Sequence, residues 1–293
     1  LVAVGVGTHA AGTPKPGVDW PQFRGIRAGG VAEGYPLPAA WDIPSGRGVR
    51  WKTAIPGLGL ASPIVWGDLV CLSTSISGQK DAGLKVGLYG DVRPVTDDTE
   101  HEWRIYCLDK KSGAVRWQQS VLRAIPKIKR HTKSSHANST LATDGERLIA
   151  FFGSEGLYAY DLKGKQLWKK DLGVLDAGWF TDSTAQWETG SSPILHDNVV
   201  VVQADVQKNS FLAAFDARDG RELWRYPLPK PAYLMDWGAA MSPVVPARIW
   251  GTSPRPEPAI AGVAQTASRG MRSNPRAAAP VMKPCSIMRS MIC

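Results

Sequence analysis

Three stretches of this chain end alike, and that periodicity constrains the fold more than any other feature. They read CLDKKSGAVRW (107–117), AYDLKGKQLW (159–168) and AFDARDGRELW (214–224). Each passes from an apolar residue to Asp, through a short polar turn carrying Gly, into a strand that closes on Trp. The anchors are Asp109, Gly113 and Trp117, then Asp161, Gly164 and Trp168, then Asp216, Gly220 and Trp224. The middle copy is one turn residue shorter. Upstream, Trp51 in VRWKT stands at the closing position of an earlier copy.

The units also begin alike. ASPIVWGDLVCLST (61–74), NSTLATDGERLIAFFG (138–153) and SSPILHDNVVVVQAD (191–205) share a small polar start, apolar positions, a two-residue polar turn and a β-branched run. MSPVV (241–245) starts a further unit. The longest interval between closing tryptophans is explained by an insertion around residues 79–102. Each unit therefore predicts strand, hairpin, strand, loop, strand, Asp-Gly hairpin and strand. Four short antiparallel strands in about 50 residues make one blade of a β-propeller. Asp bonds the turn's own backbone N–H groups, Gly supplies positive φ, and Trp buries a broad flat ring against the neighbouring blade. The expected fold is all-β, an incomplete ring of about four blades.

The repeats resemble the pyrroloquinoline-quinone (PQQ) enzyme repeat, Ala-x-Asp-x-x-Thr-Gly-x-x-x-Trp. Ala214, Asp216, Gly220 and Trp224 match it, with Asp219 at the Thr position; Asp109, Ser112, Gly113 and Trp117 match with Ser for Thr. DWPQFRG (19–25) resembles the opening segment of bacterial PQQ-binding-like propeller repeat proteins, a group akin to the outer-membrane-assembly propeller lipoprotein. The resemblance covers residues 19–245 and implies a parent ring of seven or eight blades. It speaks to fold more than to activity, because the repeat is a packing motif.

Composition bounds the alternatives. The hydrophobic fraction is 43%, enough for a core, and the net charge is +9. Most of that charge lies beyond Pro246, in Arg248, Arg255, Arg269, Arg272, Arg276, Lys283 and Arg289 against Glu257. The body carries about +3, too little for a nucleic-acid footprint. No apolar run reaches the roughly 18 residues of a membrane span. LVAVGVGTHAAG reads as the remnant of a signal-peptide hydrophobic region, so residues 1–18 are taken as leader and linker and the location as periplasmic or secreted. Residues 246–293 lack alternation and read as a basic tail, disordered or the product of a frameshift. Cys71 and Cys107 fall in predicted strands of one repeat; two buried free thiols are the favoured state and a cross-strand disulfide the alternative. No zinc spacing occurs.

In a propeller, the loop entering the innermost strand of each blade lines one mouth of the channel. Aligning the units on Ser62, Ser139, Ser192 and Ser242 places Lys133, His136 and Asn138, then Gln186, Trp187 and Glu188, then Asp236 and Trp237 there. Mixed aromatic and polar groups of this kind suit a protein, a carbohydrate or a small molecule such as a quinone. His136 has no carboxylate or serine at a telling spacing, so no catalytic residue and no metal site is assigned. The run Lys127-Ile128-Lys129-Arg130-His131 reads as a solvated loop. The resemblance leaves two functions: a non-catalytic extracytoplasmic binding scaffold, or a PQQ- and calcium-dependent dehydrogenase of alcohols or sugars. The second needs converging carboxylate, Asn and Arg ligands, and the family's large enzymes carry adjacent cysteines that this chain lacks.

Overall fold

The computed structural model describes residues 12–35, 38–79, 84–85, 94–179, 182–206 and 209–228. The leader up to residue 11, the segment from MSPVV onward with its basic tail, and the candidates Asp236 and Trp237 lie outside the described residues.

Three four-stranded antiparallel sheets follow one another, each with its strands in chain order. The first blade is β1 (Ile64–Trp66), β2 (Leu69–Ser77), β3 (His101–Asp109) and β4 (Val115–Ala124). The second is β5 (Ala142–Thr143), β6 (Arg147–Phe151), β7 (Leu157–Asp161) and β8 (Gln166–Lys170). A two-stranded ribbon, β9 (Gly178–Trp179) with β10 (Asp182–Gln186), precedes the third blade. That blade is β11 (Ile194–His196), β12 (Val199–Ala204), β13 (Phe211–Asp216) and β14 (Glu222–Pro227). The architecture is the β-propeller that the repeats predict.

Alternation along the strands explains the stacking. Ile149, Phe151, Leu157 and Ala159 of the second blade pack with Val200, Val202, Ala213 and Phe215 of the third. Their neighbours Leu148, Ala150, Tyr158 and Tyr160 point the other way and pack with Trp103, Ile105 and Cys107 of the first. The second blade is thus sandwiched, which is why β6 is buried at every position.

The closing tryptophans bind the blades together. Trp51 Nε1 donates to Lys110 O at 2.9 Å, Trp117 Nε1 to Leu162 O at 2.9 Å and Trp168 Nε1 to Ala217 O at 2.8 Å. Each indole therefore reaches the Asp-Gly turn of the following unit and lies flat on its glycine. A Cβ on Gly113 would sit 2.5 Å from Trp51, and one on Gly220 2.7 Å from Trp168. In each fourth strand the residue before Trp (Arg116, Leu167 or Leu223) is skipped in the register as a bulge. The turns are organised by their aspartates: Asp109 Oδ1 accepts from the N–H groups of Lys111 and Ser112, and Asp161 Oδ1 from those of Lys163 and Lys165. The shorter middle copy is absorbed by a tighter turn, Gly164 N–H donating to Asp161 O where Gly113 reaches back one residue further.

Two sequence expectations are corrected. Cys71 and Cys107 are not free thiols: they stand opposite each other in the β2–β3 register and are joined by a disulfide. The unit starts are in phase at Ser62, Thr140 and Ser192 rather than at Ser139. Ser62 N–H donates to Thr140 Oγ1 at 3.1 Å and Thr140 N–H to Ser192 Oγ at 3.0 Å, stitching successive first strands together. His136 and Glu188 are therefore equivalent positions in adjacent blades.

The opening segment lies at the end where the Asp-Gly turns cluster. Trp20 forms an antiparallel bridge with Val65, extending the inner edge of the first blade, and Thr143 N–H donates to Pro21 O at 2.9 Å. Buried Asp19 accepts from Lys15 N and from Gly67 N, both at 2.7 Å. The residues from Gly12 onward belong to this packing, since Gly12 N–H donates to Asp144 O.

Candidate functional site

At the opposite end, the loops entering the first strands meet the β2–β3 and β6–β7 connections. His136, expected to stand alone, is 5% exposed, and its Nδ1 lies 2.9 Å from Glu188 Oε2. The two are 52 residues apart, so no local spacing reveals the pair; only the phase of the repeats does. Trp103 Nε1 donates to His136 O at 2.9 Å, and the His101 ring stands edge-on to that of His136 at 5.1 Å. His101 Nε2 in turn lies 3.3 Å from Asp97.

Glu155 completes the cluster from a 3-10 turn, Gly153–Glu155, that links β6 to β7. Its Oε1 accepts from Lys127 N at 2.9 Å, while its buried Oε2 has no hydrogen-bond partner among the described residues. The turn presses on the neighbouring blade: Gly153 has φ +58, and a Cβ there would lie 2.9 Å from Thr189 Oγ1 and 3.2 Å from Glu188 Oε1. Glu188 itself adopts φ +69, a left-handed conformation unusual for a charged residue and typical of over-determined functional loops.

Burial sets the electrostatics. It drives the His136 imidazole down to about 4 and pushes Glu188 well above the usual carboxylate range. Burial, reinforced by the Glu188 carboxyl, raises Glu155 to about 7. Burial thus disfavours the charged form of both His136 and Glu188, whose Nδ1 and Oε2 share one hydrogen bond. For Asp97, burial opposes ionisation, but hydrogen bonds from Ser77 and Thr99 outweigh it and hold the carboxyl low.

Above this layer Trp187 is 40% exposed and stacks on the buried His131 ring, centroids 4.2 Å apart and planes 18° from parallel. Lys133 is half-buried, and its backbone N–H donates to His131 Nδ1 at 3.1 Å. Two other candidates are spent on local structure. Asn138 Oδ1 accepts from Ser135 N–H and Oγ, and Gln186 Oε1 accepts from Lys129 N. The basic run is not a solvated loop, because Ile128, Arg130 and His131 are buried, with Arg130 donating to Ser134 O at 3.0 Å. Sequence reasoning missed Asp97, Arg130, His131 and Glu155, which lie in connections without a repeat signature, and His101, at the start of β3.

Among the described residues, no three His, Cys, Asp or Glu side chains are grouped to hold a metal ion.

Comparison with known proteins agrees with the repeats. Residues 101–244 match the family model described as "Outer membrane protein assembly factor BamB". The chain is a PQQ-like β-propeller repeat protein. Among solved structures it is similar to a europium-containing methanol dehydrogenase (15% identity, TM-score 0.36, 58% of this chain and 25% of that one). It is also similar to BamB from Moraxella catarrhalis (14%, 0.27, 46% and 34%) and to the quinohemoprotein alcohol dehydrogenase of Comamonas testosteroni (17%, 0.35, 74% and 28%). The matched part thus spans between a quarter and about a third of those structures. No curated protein matches the chain. Among the described residues, no helix is long and apolar enough to cross a membrane.

Proposed function

We propose that this protein is an extracytoplasmic binding scaffold whose ligand, a protein, a carbohydrate or another small molecule, docks at the loop end around Trp187 and Lys133. The observation that carries this reading is how the polar groups of that end are used. His136, Glu188 and Asn138 are committed to internal hydrogen bonds, leaving Trp187, backed by His131, as the large exposed contact group. Exposed aromatic rings held rigid from behind lose little entropy on contact and serve as binding anchors. The Cys71–Cys107 disulfide supports an oxidising compartment, as does the likeness to an outer-membrane assembly factor.

The test is reconstitution. The chain is mixed with PQQ and Ca²⁺, and quinone absorbance and dye-linked alcohol and sugar oxidation are followed. Neither a saturable spectral change nor turnover is expected. Saturable reconstitution with turnover would replace the scaffold reading by a quinoprotein dehydrogenase.

A further inference from the structure

We propose that Glu155, Glu188 and His136 form a buried latch between the second and third blades that holds the Trp187 platform in place and loosens it when Glu155 loses its proton to solvent. The proposal rests on the reading of Trp187 as the contact group and adds a control to it.

The geometry carries the argument. Trp187 and Glu188 are consecutive, so the exposed ring and the buried carboxyl are joined through one short stretch of backbone, left-handed at Glu188. Glu188 reaches across the blade boundary to His136, and the turn bearing Glu155 abuts Glu188 and Thr189 through the bare face of Gly153. Glu155 also holds the start of the Lys127–His131 segment through Lys127 N, and that segment ends in the ring under Trp187. Two supports of the platform, Glu188 beside the ring and the Lys127–His131 segment beneath it, therefore meet at the carboxyl pair, in addition to the Trp187 N–H bond to Ala177 O.

The charged and titratable groups around the pair are His136, Arg130, Lys127, Tyr158 and, beyond His136, His101 and Asp97. Lys127 presents its backbone N–H to Glu155 while its ammonium donates to Ser154 O and Asp171, so it does not neutralise the carboxyl. Arg130 favours ionisation of Glu188, but burial outweighs it. Glu155 titrates at about 7 against an ordinary 4.5. A raised folded-state value means that the folded form takes up the proton, so the stabilisation is complete below about 4.5 and lost as pH rises to about 7. His136, lowered to about 4 from 6.5, acts in the opposite sense, its contribution being lost as pH falls through that window. Between pH 6.5 and 8 only the carboxyl effect remains.

The experiment uses the full chain without ligand. Its tryptophan emission is titrated from pH 5 to 8, and the same titration of Trp187→Phe is subtracted to isolate Trp187. The parent is expected to show one transition near pH 7, and Glu155→Gln, which keeps the neutral shape, to lose it. In urea, Glu155→Gln is expected to match the parent at pH 5 and to unfold at higher urea than the parent at pH 8. A flat Trp187 signal in the parent, a transition unchanged by Glu155→Gln, or a variant less stable than the parent at pH 8 would each overturn the latch. None of these readouts involves a ligand, so they stand apart from the scaffold test.

Discussion

Trp51, Trp117 and Trp168 each meet a glycine turn of the following unit in a pairing that few other residues could make. The indole needs a flat surface free of side chains and a carbonyl beside it, and a left-handed glycine in an Asp-led turn offers both. Gly220, at φ +73 beneath Trp168, has no room for a side chain, whereas Gly173, at φ +82, has nothing within 4 Å of its missing Cβ. Gly220→Ala should therefore cost about 1–3 kcal/mol more than Gly173→Ala, the difference being overpacking rather than backbone strain. Urea midpoints of the two variants measure it, and equal losses would mean that the ring does not depend on the bare turn.

The blades differ in how they are reinforced. In the first, β2, β3 and β4 run to nine or ten residues, and the disulfide ties β2 to β3 across a separation of 36 residues. Replacing both cysteines with alanine should lower stability by about 2–4 kcal/mol through the longer loop released in the unfolded chain. Alkylation of the unfolded, unreduced protein should leave Cys71 and Cys107 unlabelled, as mass spectrometry of the peptides will show. Asp19→Ala should cost about 1–3 kcal/mol in urea unfolding, because it strips acceptors from two backbone N–H groups. At this scale the sequence was informative: Asp, Gly and Trp in phase mark the end of the third strand, its turn and the fourth strand because geometry admits few other residues there. The disulfide was open because pairing depends on register, which composition does not fix. The phase slipped by one in the second unit because Ser139 and Thr140 are chemically alike, and only the hydrogen bond to Ser192 tells them apart.

In the described body as a whole, the two ends have different duties. The turn end carries the indole contacts and the opening segment, while the loop end carries the buried carboxyls and the exposed Trp187. Because both faces of the second blade are shared with its neighbours, unfolding of the three blades should be one event. Far-UV dichroism and tryptophan emission should give coincident urea midpoints, and separated midpoints would show that the blades melt independently. The loop end was the less legible in sequence. Trp187, Glu188 and His136 were candidates from the repeat alignment, but Glu155 and Arg130 sit in connections that differ between units and His101 at the start of β3. What brings them together is the stacking of sheets, a long-range consequence that no local pattern records.

The tryptophan contacts also have a direction. The closing indoles of Trp51, Trp117 and Trp168 each lean forward onto the unit that follows. Damage to one turn therefore strands the ring of the preceding unit while leaving its own forward grip intact. A lesion in this protein should spread toward the start of the chain, like a row of tiles loosened from below.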